Sequence, residues 1–429
     1  MYTKRKISVC DIMVIFVTIM ALGRCFKFST NVFFVIVAMT VMVSAVELIG
    51  KKKKLIFVWQ DIFLLCFPLL LMFNKDETYS TAFCLIYLIG WVVMYILRCN
   101  ISSTKIVLYI ILYFSIINMI VNWINLVSPS AYKHIITFFL IPELRNSAIT
   151  MYEKYGYLCG LSDHYSRNAY FLVSGIIVLL SFILSGKKKR KVTYLILVSL
   201  EILTLLMVGK RGHILFLAIS FFVIYILIEV SLWRKFFKIF KYVAVGLISV
   251  FIMIYFVPRA GLAYERMLQQ INSGDVSTGR FMLYDKAWKL FLEKPLFGNG
   301  FGMFNSLSIN EVHFAGVHND YIQWLCEEGI VGFVIYLSAT VGIYWISLRV
   351  LKVLVTQSLR IGSLEQILII WSVFFQTFVI TYSLTGLPHY DYEINTIYFI
   401  ACAIPIGLIS LDKCKILKVK HIKLKIVSD

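Results

Sequence analysis

The chain has 429 residues, 60% of them hydrophobic and only 15% charged, with a mean hydropathy of +0.83 and a formal net charge of +19. Soluble domains are about 45 to 50% apolar and about 25% charged, so a chain of one or two globular cores is excluded and an integral membrane protein is expected. The charge admits a nucleic-acid partner, an anionic membrane surface or an orientation signal, which differ in where Lys and Arg sit.

Apolar runs long enough to cross roughly 30 Å of hydrocarbon at about 1.5 Å per residue recur along the whole chain. In order they are Ser8 to Leu22, Asn31 to Ile49, Leu55 to Phe73, Tyr79 to Leu97, Ile106 to Val127, Asn168 to Ser185, Val192 to Val208, Gly212 to Val230, Ile239 to Val257, Gly329 to Leu348, Gln366 to Leu384 and Ile394 to Leu411. The expectation is an all-α polytopic protein with about 12 transmembrane helices. A single membrane domain over 1–429 carries two outer loops, 128–167 and a larger helical one, 258–328, between spans 9 and 10. Ala21-Leu22-Gly23 loosely resembles a signal-peptidase site, but Asp11 interrupts the apolar run and a second span follows at once.

The connecting segments alternate in charge. Lys4 to Lys6, Lys51 to Lys54, Arg98 with Lys105, Lys187 to Lys191, Arg234 to Lys241, Arg349 to Arg360 and Lys413 to Lys425 hold 27 of the 42 cations on one side. The positive-inside rule puts that side and both termini in the cytoplasm. The opposite side has 15 cations and 15 of the 23 carboxylates, together with six of the seven histidines. The +19 is therefore an orientation signal, and no nucleic-acid partner is implied. The nine cysteines lack CxxC or metal-ligand spacing; Cys25 and Cys159 both lie outside, and spacing does not pair them.

Inside the spans, Glu201 sits near the midplane, where a carboxylate is expected to be protonated or paired, with a proton relay as the alternative. Ser115, Asn118, Asn122 and Asn125 make a polar stripe on the fifth span, which could line a path or join helices. Asp11, Glu47 and Asp61 lie close to cytoplasmic lysines and call for no function.

In the large loop, Leu262 to Ile271 reads as a short helix ended by the turn Asn272-Ser273-Gly274-Asp275. A second helix starts near Ser277 or Thr278, with Phe281, Tyr284, Trp288 and Phe291 on one face and Arg280 in its first turn. There a guanidinium and free backbone N–H groups can meet one anion. Pro295 stops the helix, and Gly298-Asn299-Gly300-Phe301-Gly302 predicts a tight turn with close backbone packing. A third helix begins near His318, where the dipole favours a neutral imidazole and hence a general base; the alternative is a structural histidine. Lys210-Arg211, in the turn Gly209 to His213, either snorkels to headgroups or faces a cavity, where Arg211 and Arg280 clamp a diphosphate. No metal site is expected. His313 and His318 do not stack on a helix, and Asp391-Tyr392-Glu393 stands in a short loop where charges are usually solvated. The outer loop Gly23 to Thr30 has no carboxylate, which argues against metal-dependent membrane glycosyltransferases of the oligosaccharyltransferase type.

Thr278-Gly279-Arg280, Lys294 to Gly302, Val317-His318-Asn319-Asp320-Tyr321 and Glu328 to Gly332 together resemble the O-antigen polymerase and O-antigen ligase family of bacterial envelope glycosyltransferases. Gly160-Leu161-Ser162-Asp163-His164, with Asn168-Ala169, looks like a weaker motif of that family. The resemblance implies a metal-independent, inverting transferase without cofactors, acting on an undecaprenyl-diphosphate-linked oligosaccharide at the outer face of the bacterial cytoplasmic membrane. It implies Arg280 and Arg211 as the diphosphate clamp and His318 as the base that deprotonates the acceptor sugar. Lys210, Arg266, Asn319 and Arg167 are the implied substrate-binding residues. The family often has Ser where this chain has Lys210, so the hairpin clamp departs from the pattern. Besides the bilayer, chain-length regulator and flippase proteins are the expected partners. The motifs do not separate a repeat-unit polymerase from a ligase delivering glycan to lipid A-core. The richness in Ile, Lys and Phe with few Pro is a bias of AT-rich genomes, many of them of capsule producers without lipid A, and it favours polymerisation of capsular or O-antigen repeats. A flippase would concentrate cations along a path within the spans, and a scaffold gives no reason for Arg280 and His318 at two helix starts.

Overall fold

A computed structural model describes residues 7–28, 31–51, 56–73, 79–186, 190–229, 255–272, 279–304, 316–356 and 363–410. The expected ninth span, the caps Ser277 and Thr278, His313 and most of the lysine-rich segments lie outside the described residues. The described chain is helical: α1 Val9–Leu22, α2 Asn31–Gly50, α3 Gln60–Phe73, α4 Tyr79–Cys99, α5 Thr104–Val127, α6 Pro129–Phe139, α7 Pro142–Tyr155, α8 Tyr165–Leu184, α9 Lys191–Val208 and α10 Arg211–Ile228. After these come α11 Leu262–Asn272, α12 Arg280–Glu293, α13 Asp320–Thr356, α14 Leu364–Tyr382 and α15 Tyr392–Ser410. Seven are long and apolar enough to cross a membrane: α5, α8, α9, α10, α13, α14 and α15. Every other expected span but the ninth also coincides with a helix, α1 to α4, and these include shorter apolar pieces.

The helix ends follow from local chemistry. Ser8 and Asp11 cap α1 reciprocally, with Ser8 N–H donating to Asp11 Oδ2 at 2.9 Å and Asp11 N–H to Ser8 Oγ at 3.2 Å. Pro129 and Pro142 stand at the first turns of α6 and α7, where a missing N–H costs nothing. Gly156 and Gly209 end α7 and α9 in the left-handed region. The helices pack α4 on α15, α5 on α8, α8 on α9, α3 on α13 and α10 on α14. In α15 94% of the apolar window is buried against 33% in α10, so α15 is central and α10 turns its apolar surface outward.

One expectation about charges inside the bundle changes, and one open alternative is decided. Asp61 is not a bystander near lysines: Arg98 binds it bidentately, NH1 to Oδ2 and NH2 to Oδ1, both at 2.8 Å, with both side chains fully buried. Removing either partner strands a buried charge, a loss of about 3–5 kcal/mol. The stripe on α5 joins helices. Asn118 Nδ2 donates to Asn168 Oδ1 at 2.7 Å, Asn168 Nδ2 donates to Asn122 Oδ1 at 2.8 Å, and Asn118 Oδ1 accepts the Leu161 N–H at 2.8 Å. Glu201, wholly buried, accepts a hydrogen bond from Ser115 at 2.8 Å.

The two glycine motifs of the large loop form one joint. At Gly329, with φ +65° and ψ −168°, α13 is broken, which frees carbonyls before the break and N–H groups after it. Asn299 N–H donates to Cys326 O at 3.1 Å and Gly300 N–H to Glu327 O at 2.9 Å, while Ile330 and Val331 donate to Pro295 O and Leu296 O. A Cβ on Gly298 would stand 2.2 Å from Glu327 O, and one on Gly329 2.4 Å from Leu296 O. The predicted close packing is thus a backbone-to-backbone insertion across a helix break.

The face of α12 differs from expectation. Phe291 is buried as expected and Tyr284 partly so, but Leu283 and Ala287 complete the buried face, whereas Phe281 and Trp288 are 71% and 50% exposed. The spacing of four places small Ala287 in the middle of the contact, so α12 approaches α13 on an aliphatic stripe with Phe304, Val317 and Cys326. Gly329→Ala and Gly298→Ala should each lower the thermal unfolding midpoint by several degrees or abolish folding. Gly156→Ala, with nothing within 4 Å of the added methyl, should cost only the left-handed strain of about 1–2 kcal/mol. Unfolding curves of the three variants in detergent compare the costs.

Candidate functional site

His318 lies two residues before α13, not on it, and its φ of +60° is uncommon for a residue with a Cβ. Such strain costs about 1–3 kcal/mol and persists only where the surroundings fix it. The fixing groups flank it. Val317 N–H donates to Gln323 Oε1 at 3.0 Å. Asn319 is the cap: its Oδ1 accepts the Ile322 N–H at 3.1 Å, and its Nδ2 donates to Leu384 O at 3.1 Å. Asp320 N–H donates to Ser383 O at 2.9 Å and Gly386 O at 3.2 Å. The Asp320 carboxylate, fully buried, takes Ser383 Oγ and His389 Nδ1 on Oδ2, both at 2.8 Å. The helix start expected near His318 falls two residues on, so the dipole end belongs to Asn319 and Asp320, and His318 is the strained residue before them.

The turn that anchors Asp320 also seats the Lys210-Arg211 hairpin. A Cβ on Gly212 would meet the Tyr382 ring at 3.3 Å and Thr385 Oγ1 at 3.5 Å, so the start of α10 lies against the end of α14. Tyr382 shares side-chain hydrogen bonds with Ser166 and Tyr170 and lies in the field of Arg280. Lys210 Nζ sits over the Tyr165 ring at 4.2 Å, and Tyr165 stacks on Tyr157 at 4.1 Å. Tyr157 in turn stacks on Tyr155 at 5.7 Å, whose ring carries Lys154 at 5.3 Å. The column positions Lys210.

His318 and Arg280 are thereby brought together with Lys210 and His164, all four half-buried. Burial, then the positive charges of Arg280 and Lys210, hold His318 down from its ordinary value to about 4, so the ring is neutral at pH 7. Burial and Lys210 do the same to His164, also to about 4, with Asp163 opposing.

Arg167 and the Asp391-Glu393 pair make a separate ionic knot. Arg167 pairs with Asp163, and its Nε lies 2.9 Å from Glu393 Oε1; Arg24 NH1 lies 3.8 Å from Glu393 Oε2. Of the acidic pair, expected in a solvated loop, Glu393 is instead fully buried and Asp391 half-buried, because α15 begins there among arginines from α8 and the α1 turn. Arg266 lies on α11, and its side chain is outside the described residues. Arg211 is half-buried at the first position of α10. Sequence reasoning had no part for Ser383, and Asp320 and His389 carried no assigned role; only the place of Asp320 in the Val317 to Tyr321 motif pointed to it.

Residues 194–337 match the family model described as O-Antigen ligase. The matched segment contains Lys210, Arg211, Arg280 and His318 and both halves of the Gly298–Gly329 joint. Among curated proteins none matches the chain.

A histidine held neutral by burial must be charged on acid unfolding. Its stabilising contribution is therefore fully present above the unfolded value near 6.5 and is lost as pH falls through about 4. Ring titration of histidine-labelled protein by NMR should show His318 protonating near pH 4. Arg280→Gln removes a lowering charge and should move that midpoint upward; an unmoved midpoint would separate the two residues.

Proposed function

We propose, from an O-antigen ligase-family segment seated in a multi-pass membrane protein, that the chain polymerises lipid-linked oligosaccharide repeat units into capsular or O-antigen polysaccharide. The observation that carries this reading is a half-buried His318 kept neutral by burial and by the charges of Arg280 and Lys210, which stand in its electrostatic reach. The substrate is an undecaprenyl-diphosphate-linked oligosaccharide, the reaction takes place at the outer face of the cytoplasmic membrane, and both termini are cytoplasmic. Chain-length regulator and flippase proteins are its proposed partners.

Arg280, Arg211 and Lys210 hold the donor diphosphate, through charge-assisted and bidentate hydrogen bonds that strengthen as negative charge develops on the leaving group. Arg266 adds a cation from α11. Asn319 and Arg167 act from behind, Asn319 by capping α13 and Arg167 by tying α8 to α15. His318 takes the proton from the acceptor hydroxyl, whose oxygen attacks the anomeric carbon from the face opposite the diphosphate. The new glycosidic bond forms as the bond from that carbon to the phosphate oxygen breaks. The electron pair departs with undecaprenyl diphosphate, and the anomeric configuration inverts. Electrostatic stabilisation of the departing diphosphate is the main term, and base catalysis adds about 10² to 10⁴-fold. No metal enters the scheme.

The cations that position the diphosphate also depress the base. An anion between them cancels part of their field, so His318 gains basicity when the donor is bound. The family description favours one second reading, a ligase, which differs only in taking lipid A-core as acceptor.

Purified protein with a lipid-linked repeat unit and no added metal should yield a ladder of longer glycans with released undecaprenyl diphosphate. Product on lipid A-core alone would select the ligase, and translocation without new glycosidic bonds would remove the reading. His318→Ala and Arg280→Ala should each abolish the ladder in protein that still inserts. The acid limb of kcat/KM should fall near pH 4 and that of kcat at higher pH, because only the latter reports the donor-bound state. Coincident limbs near 6.5 would contradict a base in this field.

A further inference from the structure

The reaction scheme leaves His164 unused, although it stands in the same cluster. It is the N-cap of α8, with φ −140° and ψ 136°, and its Nδ1 accepts the Ser166 backbone N–H at 3.1 Å. A ring nitrogen that accepts from a backbone N–H carries no proton, so in the neutral ring the proton sits on Nε2. The ring is fixed from other directions as well. It leans on Tyr165 with centroids 4.5 Å apart, and its carbonyl accepts Ser162 Oγ at 2.9 Å and the Asn168 N–H at 3.1 Å. Nε2 has no partner among the described residues. Lys210, the cation nearest in effect to His164, rests on the adjacent Tyr165 ring, and His164 in turn lies in electrostatic reach of His318.

The two histidines are therefore not equivalent. The accepting nitrogen of His164 is spent on the cap, so it cannot serve as a base; what it offers to the cluster is an N–H without charge. We infer that His164 is a substrate-binding residue, donating from Nε2–H to an oxygen of the lipid diphosphate held by Arg280 and Lys210. This rests on the donor assigned under Proposed function. A neutral donor fits this position for a physical reason. One more cation here would stabilise the leaving group but would further depress His318, whereas an uncharged N–H supports the diphosphate and leaves the base unchanged.

The test separates capping from donation. His164→Ser keeps an oxygen for the Ser166 N–H but is too short to donate onward; His164→Asn keeps a carbonyl for the cap and an amide to donate. Binding of undecaprenyl diphosphate to the purified full chain in detergent is the readout, with thermal unfolding to establish that each variant is folded. The expected result is a dissociation constant raised about tenfold or more by His164→Ser and within about threefold of the parent in His164→Asn. His164→Thr replaces the serine variant should that one not fold. Parent-like binding by the folded serine or threonine variant would confine His164 to capping and leave the glycosyltransferase reading intact. A parent chain that does not bind undecaprenyl diphosphate would overturn the diphosphate assignment itself.

Discussion

The attachment of Asp320 to the turn that follows α14 is the contact on which the rest of the site depends. Its N–H donates to Ser383 O and Gly386 O, and its carboxylate takes Ser383 Oγ and His389 Nδ1. The same turn receives Asn319 through Leu384 O and lies against the start of α10 at Gly212. A single short segment thus sets where His318 leaves the chain and where the Lys210-Arg211 hairpin stands. Because the Asp320 side chain is fully buried, losing one of its hydrogen-bonded partners carries the desolvation penalty of a buried polar group, larger than the worth of one exposed hydrogen bond.

The Gly298–Gly329 joint performs a second positioning task. A helix as long as α13 would otherwise run unbroken; the break lets the segment after α12 insert its N–H and C=O groups into the gap, with all of the freed groups named above satisfied. This locks α12, and with it Arg280, to the helix whose start presents His318. Two chain segments separated by a long loop therefore converge through backbone hydrogen bonds, the Asn299 side chain on Cys326 O and the apolar contact of α12, and only glycine fits at either side of the crossing. The ionic knot of Arg24, Arg167, Asp163 and Glu393 stands apart, tying the α1 turn, α8 and α15 together.

Much of the architecture is legible in local composition. Apolar runs mark the helices because length and hydropathy are properties of the segment itself, and Pro129, Pro142, Gly156 and Gly209 mark ends for the same reason. The glycines of the large loop announce close packing, but their partner is a helix break that no window of sequence reveals. The site is less legible where the tertiary partner decides. Asp391 and Glu393 look solvated until Arg167 and Arg24 arrive from other helices. Phe281 and Trp288 look like a core face until the contact of α12 is seen to need the small side chain of Ala287. The helix start is legible near His318, but not the left-handed backbone of His318 itself, because one-dimensional reading has no access to φ. His164 is visible as a motif letter, yet its tautomer, and with it the distinction between base and donor, exists only once the Ser166 N–H is in place.

On the proposed mechanism, one cluster assembled on the Ser383–Gly386 turn holds a lipid diphosphate beside a neutral histidine. The most direct measurement of this is an electron cryomicroscopy structure of the full chain in a lipid nanodisc with undecaprenyl diphosphate. The account predicts diphosphate density among Arg280, Lys210 and His164, with the His318 ring facing the site where the sugar would attach. Diphosphate bound at the Arg24–Arg167 knot, or His318 turned into the bundle away from it, would contradict the account.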